Sequence, residues 1–260
     1  MPGENFEVDI NSDMGEGFGR WNMGDDAAIL DIVTSANVAC GLHAGDPEIM
    51  ATTFRRAREK NVAVGAHPGF PDLWGFGRRI IPFTSGEIER LVAYQIGAAQ
   101  AMATYAGHRI THVKAHGALG NLTQQDAEVA GAVNRAIKAV DPSLICLTIA
   151  LGHQERQARE MGLACRSEIF ADRAYTDEGF LVDRRIEGSV IHDPEETARR
   201  VIRMVKAGGI ETITGKVLAT PIDSICVHSD TPAAVTIAAR LRQELERSGV
   251  IVRNFIGNGA

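Results

Sequence analysis

The sequence predicts an α/β protein that folds as a (β/α) barrel, and two observations carry this prediction. Short runs rich in β-branched residues alternate with longer stretches of helical periodicity, in about eight units along the chain. No linker, low-complexity segment or change of composition divides the 260 residues, so residues 1–260 are expected to form a single domain.

The predicted strands are short apolar runs spread evenly over the chain. Strands that alternate with helices are expected to be parallel, because parallel neighbours need a crossover connection. At this length a closed barrel is favoured over an open, doubly wound sheet. The Rossmann alternative lacks its fingerprint, since Arg20 stands where GxGxxG requires its third glycine, and GGIETITGKV fails as a P-loop. The runs are FEVDI, ANVAC, NVAVGA, RITHV, LICLTIA, CRSEIF, SICVH and VIVRNF.

Three of the helical stretches have recognisable start signals. Asp46 and Asp193 each precede a proline, which gives an N-cap followed by proline in the first turn. Thr84 and Glu87 form a capping-box pattern ahead of an apolar periodic stretch. The irregular segment 171–185 instead predicts a loop that contains a small hairpin.

Composition excludes several classes of function. A net charge of −6 and a pI near 5.8 argue against binding to nucleic acid or to an anionic membrane surface. The opening MPGENFEVDI has no signal-peptide pattern, and no run reaches the roughly 18 apolar residues of a membrane span, so we expect a cytoplasmic protein. The four cysteines lie in or beside apolar runs without CxxC spacing, which predicts buried, reduced thiols.

Polar residues accumulate just after the predicted strands. In a parallel barrel these positions share one rim, where active sites are built. A single histidine there is more often structural than catalytic, but five of the eight histidines fall on this rim, which predicts a functional site. The rim residues are Asn11, Asp13, Glu16, His43, Asp46, His67, His112, Lys114, His116, Glu168, Asp172, Arg173, His228 and Asp230.

Lys114 is unusual because it lies within an apolar strand, where it alternates with His112 and His116 and so shares one face with them. A buried ammonium group is costly without a partner, so this lysine is expected to be paired or to have a shifted pKa. A structural salt bridge is the alternative to a catalytic role.

Three chemistries can use the rim. Asp13, His43 and His67 are candidates for holding a divalent metal ion, although no local HxxxH or HExxH spacing supports one. Nucleophilic catalysis by serine or cysteine is less well supported by the sequence, because no GxSxG elbow occurs. General acid–base catalysis on a small polar substrate, with Lys114 as a fixed positive charge, fits without further assumptions.

At these residues the sequence closely resembles the LamB/YcsF family, and the resemblance covers nearly the whole chain. It implies a distorted TIM-like (β/α) barrel related to the barrels of sugar deacetylases. The motifs that carry the resemblance, in order, are DINSDMGEGFG, SANVACGLHAGDP, VAVGAHPGFPD, FGRR, YQIGA, HVKAHGALGN, FADRAY, TITG and CVHSD.

The resemblance also implies an activity, namely the ATP-dependent opening of the lactam of 5-oxo-L-proline to L-glutamate together with the 5-oxoprolinase subunits B and C. ATP would be a co-substrate, accompanied by Mg²⁺. Whether the chain also forms a homo-oligomer is left open by the resemblance. Because the chain has no P-loop, ATP binds here at a non-Walker site or is bound by the partner subunits. Phosphorylation of the lactam oxygen would prepare this stable amide for attack by water.

Roles follow from the resemblance and the shared rim as hypotheses. Asp13 or His43 would be the base that activates water, Lys114 would bind a carboxylate or phosphoryl oxygen, and His116 or His67 would act as an acid or oxyanion donor. The fork-shaped guanidinium groups of Arg78, Arg79 and Arg173 would clamp phosphates. The remaining positions expected to bind substrate or nucleotide are Asn11, Glu16, Asp46, His112, Asp172, His228 and Asp230.

The sequence departs from the family pattern at KAHGALGN, where Ala115 and Gly120 replace a proline and a tyrosine, and at Ser229, where HGD is common. Loss of the tyrosine predicts a wider pocket, so the identity of the lactam substrate stays open and a lactam other than 5-oxo-L-proline is an alternative. Two other functions also remain open. A metal-dependent amide hydrolase or deacetylase would hold a stoichiometric metal and need no ATP, and a non-catalytic subunit would bind 5-oxoproline without turnover.

Overall fold

The computed structural model describes residues 6–228 and 234–256. Strands and helices alternate along the chain, and the strands are predominantly short and buried. The strands are β1 (Glu7–Met14), β2 (Ser35–Ala39), β3 (Ala63–His67), β4 (Ile110–Val113), β5 (Ile145–Ile149), β6 (Cys165–Phe170), β7 (Gly209–Glu211), β8 (Val217–Ala219), β9 (Ser224–Cys226) and β10 (Ile251–Val252). The helices are α1 (Asp26–Ile29), α2 (Pro47–Glu59), α3 (Ser85–Tyr105), α4 (Gly117–Gln125), α5 (Ala127–Val140), α6 (His153–Glu160), α7 (Pro194–Ala207) and α8 (Ala234–Arg247).

Seven parallel strands close into a barrel in the order β1-β2-β3-β4-β5-β6-β9, with β9 paired back to β1. This confirms the predicted TIM-like α/β barrel. Each of the eight predicted runs contains a strand, but the last of them, β10, pairs only with the beginning of β1, where Glu7 is opposite Ile251. Because Asp9 is paired directly with Ser224 of β9, no gap is left for an eighth strand in the barrel wall.

The helix starts are those that the sequence predicts. The Asp46 carboxylate accepts hydrogen bonds from two backbone N–H groups in the first turn of α2, and Thr84 with Glu87 forms the capping box of α3. Asp193 caps α7, where its carboxylate accepts a hydrogen bond from the Glu196 N–H. The segment 171–185 is irregular and contains the predicted hairpin, closed by an antiparallel bridge between Tyr175 and Leu181. No helix within the described residues is long and apolar enough to cross a bilayer.

The core between the barrel wall and the helices is apolar, whereas the barrel interior carries polar side chains. At the end of the barrel where the strands begin, the buried Asp9 carboxylate accepts hydrogen bonds from Thr34, Ser35 and Ser224. Phe255 packs edge-on against His112 nearby, with ring centroids 5.2 Å apart.

The four cysteines follow the sequence prediction in that all are buried and none forms a disulfide. They are distributed around the barrel: Cys40 follows β2, Cys146 lies in β5, Cys165 begins β6 and Cys226 ends β9.

Candidate active site

A cavity of about 590 Å³ opens at the carboxyl ends of the barrel strands. Its floor contains residues from three different strand ends, because parallel strands bring the positions after their last residues to the same edge. Side chains that the sequence places on the rim and that line this cavity are Asp13, Glu16, His67, Lys114, His116, Arg173 and His228, and Arg78 joins them from the loop after β3.

Lys114 is the central cation of the floor. Its Nζ lies 2.8 Å from Glu168 Oε1 and 3.0 Å from Asp13 Oδ1, and it also donates to Asn11 Oδ1 at 3.2 Å and contacts Cys226 Sγ at 3.1 Å. Burial alone would lower the pKa of Lys114, but the negative charge of Asp13 and its other neighbours raise that pKa well above the ordinary value. The side chain is therefore a fixed ammonium ion whose donors already have protein partners.

A layer of amides and one imidazole supports this ion pair from within the barrel. The Asn37 side-chain N–H₂ donates to Asn11 Oδ1 at 2.8 Å and to Asp13 Oδ1 at 2.9 Å. Asn37 Oδ1 in turn accepts from His112 Nε2 at 3.0 Å. Asn11 and His112 are fully buried and do not line the cavity, so the structure places them beneath the floor, where they hold the Asn37 amide that donates to Asp13.

His67 and His116 are fixed with their lone pairs facing each other. His67 Nδ1–H donates to the Lys114 carbonyl at 2.8 Å, and His116 Nε2–H donates to the Phe76 carbonyl at 2.8 Å. The remaining nitrogens, His67 Nε2 and His116 Nδ1, are 2.9 Å apart. Two neutral acceptors repel at that distance, so either a proton or a cation must lie between these two atoms.

Two carboxylates face this pair. Asp13 Oδ2 is 3.3 Å from His67 Nε2, and Glu16 Oε1 is 3.2 Å from His116 Nδ1. Burial would raise the pKa of Glu16, but hydrogen bonds from His116 and His43 lower it to about 2. The pKa of Asp13 lies well below its usual range, because His67 and Lys114 outweigh the effect of burial. Both groups are therefore carboxylates at neutral pH.

His43 lies behind this centre and is not part of the cavity wall. Its ring stacks on that of His116 with centroids 3.7 Å apart, and its Nε2 is 3.3 Å from Glu16 Oε1. Burial, followed by the charge of His116, lowers the pKa of His43 to about 3, so the ring is neutral. Its Nδ1 is buried without a hydrogen-bond partner. A neutral ring whose Nε2–H donates to Glu16 accounts for all of these contacts.

The donor set at this centre suits a divalent metal ion. Ligand atoms of Glu16, His43, His67 and His116 lie within 4.8 Å of one another. For His67 and His116 the second ring nitrogen donates to a backbone carbonyl, which is the usual arrangement of metal-binding histidines. His43 fits less well, because coordination through Nε2 would leave a buried Nδ1–H without an acceptor. Glu16, His67 and His116 are therefore the ligands that the geometry favours, with Asp13 beside them.

Cationic side chains surround the upper part of the cavity. Arg78, Arg173, Arg184 and Arg185 all line it. Arg173 is buried and donates to the backbone carbonyls of Val182 at 2.6 Å and Ser189 at 3.4 Å. An arginine-rich mouth over an anionic and imidazole floor divides the cavity into two chemically distinct halves.

Two predicted site residues lie away from the cavity. Asp46 is the N-cap of α2 and also accepts a hydrogen bond from the Gly19 N–H at 2.8 Å. Arg79 is paired with Asp72, and its side chain is 67% exposed and outside the cavity. Asp230 lies outside the described residues. Asp172 is near the mouth, where its two carboxylate oxygens each lie 2.8 Å from His228 Nδ1.

Sequence reasoning assigned no role to several residues that the structure brings into the site. Glu168 was visible as a rim residue, and an acidic residue inside the apolar run CRSEIF was the available signal. Asn37 was a similar polar residue inside ANVAC. Cys226 and Arg184 offered no such signal, because a cysteine in an apolar strand and an arginine in a loop are ordinary.

The two departures at KAHGALGN meet in the structure. Ala115 and Gly120 both line the cavity. A Cβ atom at position 120 would lie 2.6 Å from the Ala115 carbonyl oxygen, so a larger residue there needs a different backbone at position 115. The two positions are therefore sterically coupled, and together they leave this part of the wall without a bulky side chain.

Fold and site define a class: a TIM-like α/β barrel with a buried carboxylate–imidazole–ammonium centre at the carboxyl ends of its strands. The catalytic domain of a peptidoglycan N-acetylglucosamine deacetylase from Eubacterium rectale shares the fold, with a TM-score of 0.53 at 10% identity over 98% of this chain and 90% of that one. The LamB/YcsF family model matches residues 8–258, and the chain belongs to that family.

Two relatives are similar over nearly their full length. The A subunit of 5-oxoprolinase from Gluconobacter oxydans is 61% identical over 246 residues, which cover 95% of this chain and 97% of that protein. The crystal structure of a lactam utilization protein from Thermus thermophilus has a TM-score of 0.90 at 44% identity, and covers 96% of this chain and all of that one.

Proposed function

We propose that this chain is the component of an ATP-dependent 5-oxoprolinase that contains the lactam-opening site, and that it works with partner subunits B and C. Relatives named as a lactam utilization protein and as the A subunit of 5-oxoprolinase support the substrate class. The structural observation that carries the proposal is the lining of the cavity, which combines the carboxylates and imidazoles of its floor with four arginines.

The two halves of the cavity suit the two parts of the reaction. A five-membered lactam occupies only part of about 590 Å³, which leaves room for a phosphoryl group above it. Arginines at the mouth suit phosphoryl and carboxylate groups, because a guanidinium group can form two parallel hydrogen bonds to either. The floor supplies the carboxylates and imidazoles that hydrolysis of an amide needs.

The contacts of Lys114 refine the role expected from the sequence. Its donors already serve Asp13, Glu168 and Asn11, so it holds Asp13 in place and keeps that carboxylate ionised. Of the two candidate bases, Asp13 faces the cavity and His43 does not, which favours Asp13.

The proposed reaction begins with transfer of the γ-phosphoryl group of ATP to the lactam oxygen, which weakens the amide resonance. Water activated by Asp13 then adds to the ring carbon, the C–N bond breaks, and the proton held between His67 and His116 goes to the departing nitrogen. A second water cleaves the resulting acyl phosphate to glutamate and phosphate.

A second candidate function, metal-dependent hydrolysis of an amide, is favoured by one specific observation. The lone pairs of His67 Nε2 and His116 Nδ1 converge beside Glu16, as they would around a divalent ion. Such an ion would polarise a carbonyl oxygen or lower the pKa of a bound water. This candidate needs neither ATP nor the arginines of the mouth.

The experiment that tests the proposal measures glutamate and phosphate release from 5-oxo-L-proline, with and without ATP. The chain is assayed alone and with subunits B and C, and its metal content is determined by mass spectrometry. ATP-dependent glutamate formation in the full mixture supports the proposal. A stoichiometric metal with ATP-independent amide hydrolysis would establish the second candidate, and binding of 5-oxoproline without turnover would identify a non-catalytic subunit.

Asp13→Asn is the sharpest variant for this assay. The substitution keeps the size of the side chain and removes the charge that faces His67 Nε2, so we expect glutamate formation to fall about 10²–10⁴-fold. Asp31→Asn, which makes the same chemical change at an exposed surface pair with Lys60, is the matched control and should retain full activity. Turnover of Asp13→Asn within twofold of the parent would remove Asp13 from the mechanism.

A further inference from the structure

Arg184 is held over the cavity by a chain of hydrogen bonds that the proposed mechanism does not use. It lies in the irregular segment between β6 and α7 and lines the mouth. An N–H of its guanidinium group donates to His228 Nε2 at 2.9 Å. Because a guanidinium group can only donate, His228 Nε2 must be the acceptor, which fixes the tautomer of the imidazole.

The opposite side of the His228 ring completes the chain. With its proton on Nδ1, the ring donates to the Asp172 carboxylate, whose two oxygens both lie at 2.8 Å. The ring also stacks on Phe170 with centroids 5.6 Å apart and planes 21° apart. Asp172 follows β6 and His228 follows β9. Residues at the ends of two neighbouring strands of the barrel wall therefore orient the side chain of Arg184.

Three guanidinium groups lie at the mouth of the cavity, those of Arg184, Arg173 and Arg78. The pKa of Arg173 is lowered to about 10, first by burial and next by the positive charge of Arg184, with Arg78 contributing. Two carboxylates of the same segment lie nearby: Asp172 accepts from His228 and Asp183 pairs with Arg185, and the charges of both also interact with that of Arg173. A multiply charged anion would interact favourably with all three guanidinium groups at once.

We propose that Arg184, positioned by Asp172 and His228, completes with Arg173 and Arg78 a subsite for a phosphoryl group at the cavity mouth. Arg184 touches the phosphoryl oxygens, and His228 is a positioning residue that acts through it. The inference rests on the proposed function, since it names the place where the phosphoryl group of that reaction binds. That phosphoryl group belongs either to a bound nucleotide or to a phosphorylated substrate.

Calorimetric titration of the full chain tests the subsite without any turnover. Three probes are used separately: inorganic phosphate, inorganic pyrophosphate and a non-hydrolysable ATP analogue. Arg184→Met should weaken binding of the preferred probe at least tenfold, and Arg184→Lys should recover part of the loss. Preference for the ATP analogue or pyrophosphate indicates a nucleotide, whereas binding of phosphate alone indicates a phosphorylated substrate.

Arg199→Met is the charge-matched control outside the cavity. Arg199 forms an exposed ion pair with Glu196 in α7, so its removal changes the net charge equally but should change the affinity less than twofold. Equal losses for Arg184→Met and Arg199→Met would overturn the proposal, because they would show a general charge effect. Absence of binding of all three probes to the parent chain would also overturn it.

A double-mutant cycle tests the positioning role of His228. His228→Phe keeps an aromatic ring against Phe170 but removes both hydrogen bonds, so it should weaken binding nearly as much as Arg184→Met. If His228 acts through Arg184, the double variant should bind no more weakly than Arg184→Met alone. Additive losses would show that His228 acts independently. Retention of the thermal transition in each variant confirms that folding is intact.

Activity in the full mixture separates this inference from the proposed function. If the subsite holds the nucleotide, Arg184→Met should raise KM for ATP at least tenfold. If it holds the phosphorylated substrate formed during turnover, the variant should lower kcat instead, and in both cases KM for 5-oxo-L-proline should change little. Glutamate formation that is normal in Arg184→Met would defeat the inference and leave the proposed function intact. If neither the parent nor any variant forms glutamate while the parent still binds pyrophosphate, the proposed function is refuted and the anion subsite stands.

Discussion

At the scale of single residues, the candidate site is a set of buried charges that depend on one another. Lys114 is 4% exposed and forms ion pairs with both Asp13 and Glu168, of which Glu168 is fully buried. A buried ion pair contributes little net stability over an apolar replacement, but removal of one partner leaves the others uncompensated. Lys114 therefore links the stability of the protein to the integrity of the site.

Lys114→Met should lower the free energy of unfolding by about 3–5 kcal/mol, because two carboxylates would remain buried without their cation. Urea denaturation followed by circular dichroism measures the change. The double variant Lys114→Met/Glu168→Gln, which removes one of the stranded charges, should recover part of it. Lys60→Met at the surface pair with Asp31 is the control, with an expected loss below about 1 kcal/mol. A loss below about 1 kcal/mol for Lys114→Met, as small as that of the control, would contradict this explanation.

Which residues share the site could be predicted from the sequence, whereas the contacts between their side chains could not. Strand-end position alone was enough to predict that Asp13, His67, Lys114 and His116 lie together, because parallel strands align their carboxyl ends. The separation of His43 from the cavity could not be predicted, since it depends on how its ring stacks on that of His116. Side-chain direction after a strand is set by tertiary packing rather than by spacing.

At the scale of elements, the pairing of β3 with β4 contains an irregularity that accommodates an imidazole. The register between these strands shifts between Val64 and Gly65. A Cβ atom at position 65 would lie 2.3 Å from Cδ2 of His112, so only glycine fits beside that ring. His112 in turn packs against Phe255 and bonds to Asn37, which leaves the ring no free direction in which to move.

Gly65→Ala should therefore destabilise the protein by about 1–3 kcal/mol, since the methyl group overpacks a filled position. Thermal unfolding monitored by calorimetry is the measurement, and Gly65→Ala/His112→Ala should restore part of the stability by removing the obstructing ring. Gly97→Ala makes the same change in α3, where nothing lies within 4 Å, and should be neutral or stabilising. Equal effects of the two alanine substitutions would refute the steric explanation.

The elements were predictable where local chemistry specifies them. Asp46, Thr84 and Asp193 mark helix starts because a side-chain oxygen satisfies backbone donors wherever the rest of the chain goes. The position of β10 could not be predicted, because the run VIVRNF has the composition of a strand whichever neighbour it pairs with. Closure of the barrel by β9 against β1 depends on distant contacts that leave no signal in either strand.

At the scale of the whole molecule, the end of the barrel opposite the cavity makes stability depend on pH. Burial raises the pKa of Asp9 from 3.8 to about 6, despite hydrogen bonds from Ser224, Thr34 and Ser35 that favour the charged form. The folded state thus holds a proton on Asp9 at pH values where the unfolded chain has lost it. Stability from this group falls as the pH rises from about 4 to 6 and is constant above that range.

Asp9→Asn should remove this dependence. Relative to the variant, the parent should lose about 2–3 kcal/mol of unfolding free energy between pH 4 and pH 6, with no further relative change up to pH 8. Denaturant midpoints of both proteins across this range provide the comparison. Asp31→Asn, at an exposed position, controls for removal of a charge. Parallel pH profiles for the parent and Asp9→Asn would show that Asp9 is ionised in the folded state throughout.

The burial of all four cysteines makes the native thiols chemical reporters of opening of the fold. Burial raises the pKa of each of them, to about 12 for Cys40 and well above the ordinary value for Cys226, so the folded protein presents almost no thiolate to an alkylating reagent. Alkylation then proceeds only as fast as each strand end opens. Peptide mapping of the label over time would give four local opening rates around one barrel, in the unmodified protein and without any introduced probe.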